Sequence, residues 1–221
     1  MTGNIPQFVT QVTGHEPSNS AIFELAFTHS SVSSGSYDRL EFLGDRVLGL
    51  VIARALYERY PKESEGNLSR RYNVLVARET CAEIGRELGI PPLIRLGKQA
   101  RDDRANESDN VVGDVVEALI GALLLDGGLD TADAFIRRTW APYVESQGKA
   151  PKHPKSALQE LAAARNWTAP EYEVARTSGA HHAPRFTVQV AIRNIGEATA
   201  EGSSKQEAET AAATALLEQL Q

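Results

Sequence analysis

Several things are scarce in this sequence, and each scarcity excludes something. There is one cysteine, Cys81, so no internal disulfide can form, which fits a reducing compartment and a cytoplasmic protein. As a small apolar residue on a helical pattern, Cys81 reads as core. No apolar run approaches the length of a membrane span, and the N-terminus MTGNIPQFVT lacks the basic-then-apolar form of a signal peptide. Positive charge is not in excess either: 23 Lys and Arg against 29 Asp and Glu give a net charge of −6, which argues against a simple electrostatic nucleic-acid binder. Any nucleic-acid function must therefore rest on local constellations. What remains, 42% apolar and 24% charged, is the composition of a globular protein of one large or two ordinary domains.

The apolar periodicity divides the chain. Residues 5 to 13 and Ala21 to Phe27 read as short helices, and Asp38 to Tyr60 as a long one closed by Pro61. KESEGN reads as a loop. Leu68 to Leu88 follows a single helical period ended by Gly89, and RDDRANESDN, charged and without apolar anchors, reads as a mobile loop. Asn110 to Asp126 is a strongly apolar helix stopped by Gly127-Gly128, and Thr131 to Glu145 a further helix interrupted near Pro142. Residues 1–147 thus form an all-helical domain and 148–154 a linker. Residues 155–221 form a small α+β domain in the order α-β-β-β-α. Its helices are Lys155 to Arg165 and Ser204 to Leu220, and its strands Tyr172 to Ala175, Arg185 to Ile192 and Glu197 to Glu201.

The helix that opens YDRLEFLGDRVLGL has the apolar density of a buried element, yet it carries Glu41 and Asp45 at i, i+4. Carboxylates at that spacing share a face and repel, and in apolar surroundings they are costly unless paired or bound to metal. The later helix VVGDVVEALIGALLLD repeats the oddity with Asp114 and Glu117 at i, i+3. If the two helices meet, four carboxylates cluster. Hard oxygen ligands with no nearby Cys or His set favour Mg²⁺ or Mn²⁺ over zinc. The pattern alone leaves open the plainer reading of solvated acids on amphipathic helices.

These residues also carry a resemblance. DRLEFLGD, preceded by FTHSS and followed by EGNLSRR and DVVEALIGALLLDGG, resembles the ribonuclease III family of double-stranded-RNA endonucleases. The resemblance extends through the second domain. It implies that Glu41, Asp45, Asp114 and Glu117 bind the catalytic metal, with Asp45 and Glu117 central to catalysis. Glu65 then belongs to the acidic cleft as an auxiliary residue. So does Asp38, which stands where the family's signature has Glu; its shorter side chain suits a water-mediated contact. Two Mg²⁺ ions clamped by carboxylates suit phosphodiester hydrolysis. Phe42 reads as core from pattern alone, but the resemblance makes it a ball inserted into a socket of the partner subunit in a homodimer. His29 takes a hydrogen-bonding, structural role, and Arg70 and Arg71, beside the acidic loop, are placed to meet phosphate but read first as solvated. The resemblance further implies 5′-phosphate and 3′-hydroxyl products and structured ribosomal precursor and other RNAs as substrates.

The segment from Lys155 resembles a double-stranded-RNA-binding domain. Ser156, Gln159 and Glu160 on its first helix, and His182 in SGAHHAPRF, are the implied minor-groove contacts, reading shape and 2′-hydroxyls. In GSSKQEAETAAA, Ser204 and Lys205 match the family's phosphate-binding helix start, whereas Gln206 stands where a Lys is usual. With seven Lys and Arg against eight Asp and Glu from Pro151 onward, binding is expected to be weak and its salt slope shallow. The competing readings are a duplex-RNA-binding protein with an inactive nuclease domain and an RNA-independent helical metalloprotein. Retention of all four acids opposes the first, and the second domain opposes the other.

Overall fold

The computed structural model describes residues 4–32, 35–148, 150–180 and 183–220. The chain divides into two compact units, Met1–Ala150 and Pro151–Gln221. Among the described residues, no helix is long and apolar enough to cross a membrane.

The first unit is helical: α1 (Ile5–Thr13), α2 (Ser20–Ala26), α3 (Asp38–Arg59), α4 (Glu65–Leu75), α5 (Arg78–Glu87), α6 (Lys98–Asp102) and α7 (Asp109–Ser146). Local chemistry sets several ends. Asn4 Oδ1 accepts from the Gln7 amide at 3.2 Å to cap α1, whose far end is closed by Gly14 in the left-handed region at φ 77°. Helix α7 changes course at Gly128, where φ is 80°. The core is built chiefly where α3 and α5 lie against α7, with Leu48, Ile52, Leu56, Ile84, Leu119, Phe135 and Trp140 all buried.

In this unit the structure departs from the sequence reading in five places. The single helix expected over Leu68 to Leu88 is two, broken at Val76 and Ala77. The carbonyls that end α4 find other partners: the buried Trp140 indole N–H donates to Leu75 O at 2.8 Å, and the Thr80 hydroxyl to Val74 O at 2.7 Å. The loop expected over KESEGN ends early, because Ser64 Oγ accepts the Asn67 amide and Glu65 already opens α4. The loop expected over RDDRANESDN is instead α6 and a 3-10 turn, Ala105–Glu107. Ala100 and Ala105 are apolar anchors there, and Arg101 and Asn106 bond the Leu96 and Pro91 carbonyls at 2.9 and 3.3 Å. Pro142 does not interrupt α7. It stands on the exposed side, where solvent can take the carbonyl it leaves without an amide partner. Arg71, finally, is not solvated: 1% exposed, it pairs with Glu63 at 2.7 Å, lies 3.9 Å from the Tyr60 ring centroid and bonds Gln147 O at 2.7 Å.

The second unit contains α8 (Pro154–Ala164), β1 (Glu171–Ala180), β2 (Ala183–Ile192), β3 (Gly196–Gly202) and α9 (Lys205–Leu220). The sheet is antiparallel in the order β1-β2-β3, with Val190 opposite both Tyr172 and Ala198. Helix α9 packs on β2, β3 and α8, enclosing Leu158, Ala162, Val190, Ile192, Ala212, Ala213 and Leu216.

Candidate active site

The site is set by how closely α3 approaches α7. A Cβ added at Gly44 would stand 1.7 Å from the Glu117 carbonyl oxygen, and one added at Gly121 would stand 2.3 Å from Leu40 O. Only two facing glycines allow this approach. Glu41 and Asp45 therefore flank the contact on one helix, and Asp114 and Glu117 lie on the other.

The electrostatics follow. Burial first, and then the charges of Asp45, Glu41 and Asp114, push the Glu117 carboxyl up to about 8, against a partial offset from Arg78. Glu41 is raised by burial and by Asp114, Asp38 and Asp45, with Arg46 opposing. Asp114 is raised by burial although the Tyr37 hydrogen bond and the charges of Arg78 and His29 act the other way. The four acids and Asp38, in the first turn of α3, thus feel one another. Among the described residues, no three His, Cys, Asp or Glu side chains close on a common point. The cluster is a set of repelling acids that a cation would have to draw together.

Other residues frame it. Arg46 donates to Asp45 Oδ2 at 2.8 Å and lies 4.0 Å over the Phe42 ring. Tyr37, 4% exposed, donates its hydroxyl to Asp114 Oδ2 at 3.1 Å. His29 Nδ1 accepts the Ser31 amide at 3.0 Å, as its structural reading expected, and its ring meets Tyr37 edge-on. Tyr37, Arg46 and Arg78 carried no assignment from sequence. Tyr37 and Arg46 sit inside the signature stretch itself, and that adjacency was the one available signal. Glu65 opens α4, where its Oε1 accepts the Ser69 hydroxyl at 2.7 Å, and it is not among the charges that most perturb Glu41, Asp114 and Glu117. Phe42 is not core: it is 61% exposed, as are Leu50 and Tyr57 of the same helix at similar levels.

In the second unit, Ser156, Gln159 and Glu160 stand exposed on α8, and Glu160 is paired with Lys152. His182 lies outside the described residues. Ser204 Oγ accepts the Glu207 amide at 3.1 Å to cap α9, and Lys205 follows, exposed. The Glu207 carboxylate accepts the Ser203 amide at 2.7 Å and also its hydroxyl. These bonds hold its carboxyl below the usual range, so an anion already sits at the helix start.

The chain is thus an all-helical unit with an acidic centre followed by an α-β-β-β-α unit. Comparison with known proteins identifies these as a nuclease domain carrying a duplex-RNA-binding module. Residues 19–144 match the Ribonuclease-III-like family and residues 154–220 the double-stranded RNA binding motif. Ribonuclease 3 of Zymomonas mobilis is 58% identical over 205 residues, covering 93% of this chain and 83% of that one. Its counterpart in Bartonella bacilliformis is 42% identical over 210 residues, covering 94% and 89%. Among solved structures, the nuclease domain of ribonuclease III from Campylobacter jejuni aligns with a TM-score of 0.60 at 31% identity, over 62% of this chain and 95% of that domain. The chain belongs to the ribonuclease III family and is an endoribonuclease of double-stranded RNA.

Proposed function

We propose that Glu41, Asp45, Asp114 and Glu117 form the hydrolytic centre, that they hold Mg²⁺, with Mn²⁺ able to substitute, and that Asp45 and Glu117 are the residues most needed for the reaction. The observation that carries this is the state of Glu117. A carboxyl pushed up to about 8 by burial and three neighbouring acids, on helices locked by Gly44 and Gly121, is an anionic pocket short of positive charge. The donor set fits the ion, being all carboxylate oxygen. When bound, such ions supply Lewis acidity and a more acidic water.

The chain's own residues do the rest. Glu41, whose charge acts on Glu117, would with it orient what binds between the helices, while Arg46 and Tyr37 hold Asp45 and Asp114 in place. Asp38 and Glu65 contribute further negative charge to the cleft. The products are 5′-phosphate and 3′-hydroxyl ends, and the substrates include structured precursors of ribosomal RNA. Ser156, Gln159, Glu160 and His182 meet the minor groove, and Ser204 and Lys205 a phosphate. The nuclease unit works as a homodimer joined through Phe42, a reading supported by the exposure of that ring and by the dimer-forming nuclease domain of the Campylobacter jejuni relative.

Labelled duplex RNA incubated with the protein tests this. Cleavage is expected with Mg²⁺ and none with EDTA. Glu117→Gln is expected to abolish cleavage while leaving a gel shift of the duplex intact. Normal turnover by that variant in Mg²⁺ would remove Glu117 from the centre. RNA that is shifted but left intact in both conditions by the unaltered protein would reduce it to a binding module.

A further inference from the structure

Tyr37 joins the two acid-bearing helices through a single residue. It directly precedes α3, and its carbonyl accepts the amides of Leu40 at 2.8 Å and Glu41 at 2.9 Å, so it sets the first turn that presents Glu41. Its own amide donates to Thr28 O at 2.9 Å, and its ring lies edge-on to His29 with centroids 5.8 Å apart. With backbone and ring held on both sides, the phenol is aimed at α7, where the hydroxyl meets Asp114 Oδ2 at 3.1 Å. The phenol O–H is the donor of this bond, and the carboxylate accepts.

A carboxylate with one oxygen engaged by a fixed donor offers the other oxygen more freely. That distinction matters for ion choice. Mg²⁺ is small, wants near-octahedral geometry and takes single oxygens, whereas Ca²⁺ accepts both oxygens of one carboxylate at longer distances. Groups that hydrogen-bond a metal ligand from behind orient it, and losing one commonly lowers metal affinity about 10–100-fold.

We infer that Tyr37 is a positioning residue whose hydroxyl holds Asp114 Oδ2, so that Asp114 meets a cation through Oδ1 alone and the site favours Mg²⁺ over Ca²⁺. This rests on the proposed metal role of Asp114. Tyr37→Phe keeps the ring against His29 and removes only the donor.

The test uses the full chain. Mn²⁺ binding is followed by the loss of the free-ion electron paramagnetic resonance signal, and Ca²⁺ inhibition of Mg²⁺-supported duplex cleavage is titrated alongside. Thermal unfolding checks that the variant is folded. Tyr37→Phe is expected to weaken Mn²⁺ binding by about tenfold or more and to make Ca²⁺ a stronger inhibitor relative to Mg²⁺. A variant within twofold of the unaltered protein in both measurements overturns the inference. Asp114→Asn separates the two levels: if it weakens Mn²⁺ binding while Tyr37→Phe does not, only the role of Tyr37 falls. If Asp114→Asn binds Mn²⁺ as the unaltered protein does, the metal role of Asp114 falls with it.

Discussion

Two acids of α7 show how differently burial can be answered. Glu117 is surrounded by other carboxylates and is pushed up to about 8. Asp126, nine residues further on, is also buried, which by itself raises its pKa. Its oxygens, however, accept from Ser18 Oγ at 2.6 Å, the Ser18 and Asn19 amides at 2.9 Å and His15 Nε2 at 2.7 Å. These bonds outweigh burial and hold the carboxyl down to about 2. A carboxylate whose folded pKa lies below its ordinary 3.8 stabilises the fold above that value and loses the contribution as pH falls toward 2. Asp126→Asn is accordingly expected to cost about 2 kcal/mol at neutral pH. The deficit, read by urea unfolding across pH, should shrink between pH 3.8 and about 2. A deficit that does not change over that range would mean the charge of Asp126 is not what holds the turn after α1. One acid is thus tied to structure by donors, and the other stands among repelling acids, where the proposed cation would bind.

At the scale of elements, the contact of α3 with α7 governs the site. Gly121→Ala would drive a methyl group into the Leu40 carbonyl and force the helices apart. The expected outcome is destabilisation of about 1–3 kcal/mol and loss of duplex cleavage with duplex binding retained. Full cleavage activity in a folded variant would show that this approach is not needed. The two helices themselves were legible in the sequence, because apolar density, the absence of proline inside α3 and the Gly127-Gly128 stop are local signals. The break between α4 and α5 was not. It depends on Trp140, far along the chain, donating to the Leu75 carbonyl. The order of the segment after Gly97 was hidden for a similar reason: its anchors are two alanines and side-chain bonds to carbonyls up to fifteen residues away. Arg71 was misread because its partners, Glu63, Tyr60 and Gln147, are assembled by the fold.

For the whole molecule, the exposed ring of Phe42 belongs to the proposed homodimer. Phe42→Ala removes a large apolar group that the isolated unit leaves open to solvent. The dimer dissociation constant is expected to rise about tenfold or more, as for a central aromatic contact, with little change in the unfolding of the monomer. Sedimentation showing an unchanged dimer would exclude Phe42 from the interface. The duplex-RNA-binding unit is not basic, and Glu207 already occupies the start of α9. Together these lead us to expect that recruitment of RNA rests on shape and on the proposed contacts of α8 and α9 more than on charge.

By itself, the sequence determined the two acid pairs, the helical and α+β halves and the signature that marks the family, because each is written in short-range spacing. Only the tertiary structure decided that Gly44 and Gly121 meet, that Tyr37 reaches Asp114 and that Trp140 ends α4. These three facts depend on which faces of distant helices come into contact. That choice is made by the packing of the whole core, and no window of sequence contains it.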